Sequence, residues 1–509
     1  MPSNCRKFGP VLGALIFACG LAPGAATQPT TLRIGLMADP DNLDPTTSRS
    51  WSTVIVLNSI CDKLIDVTPD LRIVPQLATE WSWSEDHKAL QMKLRTGVKF
   101  HDGEPFNAAA VKYTIERHLR TRGSTYQEAL RPITGVDVID DLTVRINLSS
   151  PISGPLFSRF VIGAGMIISP KAAETAGEQF GARPVCAGPY RFVERVVQNH
   201  ITLERFPDYW DKNRVHIDRI TYRIMADSTV RLANLRAGAL DLIEQVAPTD
   251  VTDLLRDSRF KIASAMSLGY NRIYINVGKS DRAHTPFGRD ARIRQAFNLA
   301  IDREAINQVV FNGEAVPANS WIPPGSPFDL ATIAAPRRDV ARAKDLLAAA
   351  GVPNPKVELT LHTNPMQMQV AELIQAMTRE AGFDTKLVVL ETGSAIQAGH
   401  RGDHQAYLNG WPGFLDPDHN IFSMLHCKGS LNYSGYCNNE VDGLLEKARA
   451  MTDVAERVRL YTRVREILAE DEPYIFLNHL KLIWAHAARL RGFVPHRDGL
   501  MRVLDLKLD

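Results

Sequence analysis

The stretch Leu90 to Pro105, LQMKLRTGVKFHDGEP, constrains the fold of this chain more tightly than any other segment. Leu90, Met92 and Leu94 alternate with polar Gln91 and Lys93, the period of a strand with one face in a core and one in water. Gly97 and the Asp102-Gly103 pair then supply turns at either end, so an antiparallel hairpin is expected. His101, Asp102 and Glu104 look chemical in isolation, but the turn signals around them assign them to the hairpin.

Elsewhere helical and extended patterns alternate. Leu32 to Leu36 reads as a strand, followed by the turn-rich Ala38 to Pro45, an exposed loop in a common ligand-facing position. Asn107 is placed to cap a helix in which Val111, Ile115 and Leu119 recur every fourth residue as a core stripe. Two strands with a turn between them are expected from Cys186 to Trp210, and another at Ile220 to Ile224. Ser228 is expected to cap a helix through Arg236, stopped by Gly238 ahead of the strand-like Leu240 to Ile243. Asp290 and Asp302 are placed to cap two further helices, with Arg289, Arg292 and Arg294 on a solvated face. Later helices are expected at 339–350, 365–381 and 454–469, with Gly351 and Gly382 ending the first two. Strands at 357–362, 385–390 and 474–477 alternate with them, giving mixed α/β sequence without an internal repeat or a low-complexity linker.

Residues 1–26 carry Arg6 and Lys7, an apolar stretch from Phe8 to Leu21, and small residues ending Gly24-Ala25-Ala26, the pattern of a secretory signal. The apolar stretch is too short to span a membrane as a helix. Bulky Phe17 and the position of Cys19 within that stretch argue against a lipid-anchoring box. Without Arg6 and Lys7 the 59 basic residues fall to 57, equal to the 57 acidic ones, so neither nucleic acid nor an anionic membrane surface is indicated as a partner. Removing 26 of 509 residues leaves 483, more than one hydrophobic core usually holds, and at least two lobes are expected. In an exported chain, Cys61, Cys186, Cys427 and Cys437 have three possible pairings. The short spacing of Cys427 and Cys437 makes them the best local pair, worth roughly 2 to 3 kcal/mol by loop closure. Cys61 and Cys186 are left open between a disulfide and buried thiols.

The hairpin and the residues before it, Trp81, Ser84, Asp86, Leu94, Arg95, Gly97 to Gly103 and Pro105, resemble the signature of the bacterial extracellular solute-binding proteins of the peptide and nickel group, family 5. Three further blocks resemble the same family: Cys186-Ala-Gly-Pro-Tyr with Pro207-Asp-Tyr-Trp210, Leu235-Arg-Ala-Gly-Ala-Leu-Asp-Leu-Ile243, and Pro286-Phe-Gly-Arg-Asp through Ala300-Ile-Asp-Arg-Glu-Ala-Ile306. The resemblance implies an α/β, two-lobe periplasmic binding protein of type II, in the large peptide-binding subclass, with a strand hinge and an extra subdomain in the first lobe. Residues 27–268 would form lobe I, including the subdomain at about 45–180. Residues 269–480 would form lobe II, and 481–509 would return to lobe I. It also implies a periplasmic component of an ABC importer, capturing a small peptide or peptide-like solute as a monomer and handing it to an inner-membrane permease with its ATPase subunits. Related dipeptide-binding proteins carry cysteines at both ends of the loop that Cys427 and Cys437 flank here.

No HExxH, P-loop, GxSxG or GxGxxG motif occurs, which lowers the expectation of an enzyme. No cofactor and no metal site is expected. His400 and His404 have zinc-like spacing, but Gly399 and Gly402 assign them to an exposed loop. His419 and His426 lack a third ligand nearby in sequence. Gly410 to Asp418, GWPGFLDPD, resembles the ligand-facing loop of the family, in which close dipeptide-binding relatives place an amine-pairing Asp just after Trp-x-Gly. Here that position is Phe414, and Thr392 stands in a segment where those relatives have an aromatic residue, so simple dipeptide capture is not expected. The ligand candidates are Trp411, whose indole offers a flat face and one donor, with Phe414, Asp416, Asp418, Tyr270, Asn271, His362, Asn364 and Thr392. Asp416 and Asp418 also suit turn duty, and as a buried pair they would suit a secreted hydrolase. A partner role with a membrane chemoreceptor is the other rival.

Overall fold

The 14-residue strand Tyr474–Ala487 organises the molecule because it is long enough to serve two cores. In this computed structural model, which describes residues 29–509, the strand runs through the middle of a 12-stranded mixed sheet. Its first half pairs antiparallel with Tyr270–Ile275, and its second half with Phe260–Met266. Beyond Tyr270–Ile275 lie Ala406–Trp411, Lys356–His362 and Asp384–Leu390, the last two in parallel register. Beyond the second half lie Leu242–Ile243, Thr31–Leu36, Arg219–Ile224, His200–Arg205 and Tyr190–Val196.

Each end of the sheet has its own apolar interior. One core gathers residues from Leu32 to Tyr222 together with Trp484 to Leu506, while two others draw only on residues between Tyr270 and Leu477. The result is a two-lobed α/β protein in which Tyr270–Ile275 and Phe260–Met266 pair with successive stretches of the one strand Tyr474–Ala487. Division of the interior into more than one core is the usual outcome for a chain of this size, because a single interior stops growing beyond about 250–300 residues. Among the described residues no helix is long and apolar enough to cross a membrane. The expected signal segment, with Cys5 and Cys19, lies outside the described residues.

The hairpin forms as its alternation demands: Leu90 and Met92 are fully buried and Leu94 nearly so, in a four-stranded antiparallel sheet. Gly97 and Gly103 hold φ of 72° and 86°, the left-handed region where glycine costs least. The polar triplet fastens the hairpin to its neighbours. His101 Nε2 lies 3.0 Å from the Gly188 carbonyl, the Ser169 hydroxyl donates to Asp102 at 2.6 Å, and Lys171 pairs with Glu104. Burial lowers the His101 pKa to about 4, so the ring is neutral.

Several expectations are corrected. The cap of the helix Ser228–Arg236 is Asp227, one residue earlier, whose side chain accepts from Val230 N. Arg294 is buried, not on a solvated face: its guanidinium donates to the carbonyls of Asp471 and Gly288 and ties two helix ends together. His404 is fully buried, and His400 belongs to the helix Thr392–Arg401, because Gly402 ends that helix and Gly399 is accommodated inside it. Cys427 and Cys437 form the expected disulfide, and Cys61 and Cys186, left open by the sequence, form a second. The expected strand at 474–477 continues to Ala487.

Candidate functional site

At the double crossing the two lobes face each other across a cavity of about 360 Å³. Trp51, Glu244 and Trp484 line it from the first core's side, and Tyr270, Asn271 and Trp411 from the second. The chain can approach so closely here because it carries glycine at two positions. A Cβ at Gly269 would run into the carbonyls of Trp411 and Pro412, and one at Gly413, where φ is 79°, would run into the Leu268 backbone.

Asn420 holds the aromatic wall in place. Its Oδ1 accepts from Trp411 Nε1 at 3.1 Å and from Phe414 N at 2.7 Å, its Nδ2 donates to the Phe414 carbonyl at 2.8 Å, and its own carbonyl accepts from the Tyr270 hydroxyl at 2.6 Å. The Trp411 indole N–H is thereby used internally, which leaves the ring face for a ligand. Behind the wall, Arg272 is fully buried with its guanidinium 4.8 Å from the Tyr270 ring and 4.2 Å from the Tyr274 ring. Burial lowers its pKa, and the π-faces supply part of the stabilisation that water would give the cation. Asn271 Nδ2 donates to Asn478 Oδ1 at 2.8 Å, so one amide pair spans the two strands at the crossing.

Trp411, Tyr270 and Asn271, separated by some 140 positions in the chain, therefore come together on the cavity. The remaining sequence candidates are placed elsewhere. Phe414 turns its ring to the first lobe, with the Arg159 guanidinium 4.6 Å from its centroid and His419 beside it. Asp416 caps the helix Pro417–Leu425 by accepting from Asp418 N, and it pairs with the buried Arg457 at 2.6 Å. Asp418 is buried against Arg449 at 2.8 Å; burial raises its pKa while the arginine opposes the rise. Each carboxylate is thus committed to an arginine, which corrects the reading of the two as a mutual acid–base pair or as cleft ligands. Asn364 is exposed and caps Pro365–Ala381, Thr392 is exposed in the first turn of its helix, and His362 is half-buried at the end of its strand. None of these three lines the cavity.

Sequence reasoning missed Trp51, Glu244 and Trp484. Trp51 follows the loop that was expected to face ligand, whose aspartates are instead occupied: Asp39 pairs with Arg195, and Asp44 with Arg117. An unusual tryptophan at the first position of a helix was the available signal for it. Glu244 and Trp484 carry none, since they flank or occupy strands buried on both faces. No group of three or more His, Cys, Asp or Glu among the described residues is placed to hold a metal ion.

A two-lobed α/β architecture joined by crossing strands, with a cavity at the crossing that both lobes line, defines a solute-binding protein. Comparison with known proteins agrees. The family model "Bacterial extracellular solute-binding proteins, family 5 Middle" matches residues 72–432, and the chain belongs to that family. It is 29% identical over 481 residues to the glutathione-binding protein GsiB of Pectobacterium atrosepticum, covering 92% of each chain. To the protein of the same name from Escherichia coli K12 it is 28% identical, covering 95% of each. Its fold matches that of a dipeptide-binding protein from Pseudoalteromonas sp. SM9913, solved with Met-Leu, at a TM-score of 0.79 and 24% identity over 94% of this chain and all of that one.

Proposed function

We propose that this protein is a periplasmic component of an ABC importer, capturing a small peptide or peptide-like solute between its lobes and delivering it, as a monomer, to an inner-membrane permease and its ATPase subunits. The observation that carries the reading is the cavity at the double crossing, to which each lobe contributes aromatic and polar side chains. The division into 27–268 with 481–509 as lobe I, and 269–480 as lobe II, is part of the proposal, and the distribution of the cores supports it. The glutathione-binding names of relatives alignable along nearly the whole chain favour a peptide-like solute.

Closure around a solute works as a population shift, in which the closed state is favoured by as much as the ligand prefers it to the open state. Backbone groups of the cleft loops suit a peptide main chain with little regard to its side chains. The Ser267 hydroxyl that lines the cavity is engaged with the Gly269 backbone, which supports binding without turnover as the role proposed. The test is mass spectrometry of ligand released from purified, undialysed protein, combined with small-angle scattering and calorimetry against peptide, opine and metal-chelate libraries. A peptide-like mass and compaction coupled to binding are expected. Binding without compaction, or turnover of a bound peptide, would contradict the reading.

A further inference from the structure

The charged groups around the cavity are almost all occupied within the protein. Lys481 pairs with Glu314 at 2.8 Å, and Asp498 pairs with Arg502 at 2.7 Å. Arg497 directs three donors to the carbonyls of Met266, Gly325 and Pro324. Glu244 differs. Its residue is 5% exposed and lines the cavity, one carboxylate oxygen accepts the Met37 amide at 2.8 Å, and among the described residues no basic side chain stands within ion-pair distance of it. Arg231, the cation that acts on it most, gives its guanidinium donors to backbone carbonyls, including that of Glu244 itself.

A carboxylate withdrawn from water with no counter-ion is disfavoured in its charged form, and burial accordingly raises the Glu244 pKa. Such a group is stabilised when a cation enters beside it. The same cavity is lined by the indoles of Trp411, which has the Arg272 guanidinium 5.8 Å from its ring centroid, and of Trp51, which is 38% exposed, and such ring faces attract a cation. An anionic solute would meet Glu244 as a like charge, whereas an ammonium would meet a carboxylate and aromatic faces together.

We propose that Glu244 is the ammonium-recognising residue of the cleft, and that the solute carries a free, protonated amine held between this first-lobe carboxylate and the aromatic wall of the second lobe. This deepens the solute-binding reading and rests on it. An amine placed there bridges the lobes, so its recognition stabilises the closed form.

The test uses the full mature chain and matched probes: the dipeptide Ala-Phe, the tripeptide Ala-Ala-Ala and glutathione, each compared with its N-acetylated form by calorimetry. At least one free-amine probe is expected to bind, and tenfold or more tighter than its acetylated partner. Glu244→Gln, which keeps the oxygen that accepts from Met37, is expected to bring the two forms within about twofold of each other. Equal binding of acetylated and free forms by the wild type, or discrimination that survives in Glu244→Gln, would overturn the inference while leaving the solute-binding role standing. Failure of every probe in both forms would overturn it together with the peptide-like reading. If Glu244→Gln does not melt cooperatively, Glu244→Asp is measured instead: it is expected to weaken the free-amine probe tenfold and keep the preference for it, and full affinity would overturn the inference.

Discussion

Trp411 owes its pose to Asn420, which takes up the indole donor and leaves the ring face to the cavity. Replacing Trp411 by alanine removes that flat apolar face, while Asn420 Oδ1 keeps the Phe414 amide as a donor. Trp411→Ala is expected to weaken ligand binding at least about tenfold, or about 1.4 kcal/mol, by calorimetry; unchanged affinity would remove Trp411 from the site. His479, at the lobe crossing, is buried with Nδ1 donating to the Gly269 carbonyl at 2.8 Å. Burial lowers its pKa from 6.5 to about 4. Between those values the unfolded chain takes up a proton that the folded chain refuses, so this residue's contribution to stability is full above about pH 6.5 and is lost as pH falls toward 4. Urea unfolding of the wild type and His479→Gln across that window is expected to show their stability difference moving by about 3 kcal/mol in favour of the variant on acidification. A difference independent of pH would contradict this.

At the scale of elements, the helix Pro417–Leu425 shows how a polar loop is committed to structure. Asp416 gives one oxygen to the helix start and both to Arg457, in a pair whose side chains are 5% and 3% exposed. Asp416→Asn keeps an oxygen for the cap but strands the buried guanidinium, and about 3 to 5 kcal/mol of destabilisation is expected in denaturant unfolding. A loss below about 1 kcal/mol would show that water reaches Arg457. Helix starts were largely legible from sequence because a cap is a local event: Asn107, Asp290, Asp302, Asp339 and Asn364 each accept from an amide two or three residues on. The strand Tyr474–Ala487 was only partly legible. Its first six residues are all buried, so no alternation marks it there, and Asn478, His479 and Lys481 interrupt its apolar run.

Across the whole molecule, the two disulfides differ in what they constrain. Cys61–Cys186 spans 125 residues and Cys427–Cys437 only 10. Loop-closure entropy grows with the logarithm of loop length, which puts them at about 5 and about 3 kcal/mol. Paired serine substitution is expected to destabilise the protein by roughly 2 kcal/mol more at Cys61 and Cys186 than at Cys427 and Cys437, compared by chemical denaturation; the reverse order would place the stabilisation in native packing instead. The longer bridge also joins the helix Trp51–Ile60, which begins at the cavity, to the segment that receives the His101 hairpin. The family-marking residues are thus framework that holds one wall of the cleft from behind.

The amino-acid sequence by itself determined the family, the mixed α/β class, the need for two lobes and most helix starts. These depend on local spacing, turn chemistry, chain length and motif resemblance, all of which are written along one dimension. It also singled out Trp411, Tyr270 and Asn271. Only the tertiary structure decided that Asp416 and Asp418 serve arginines, that Phe414 packs against Arg159, and that Cys61 meets Cys186. Only the tertiary structure brought Trp51, Glu244 and Trp484 to the cavity. The physical reason is that a buried charge takes its meaning from its partner, and these partners lie tens to hundreds of residues away in the chain, where no local periodicity can announce them.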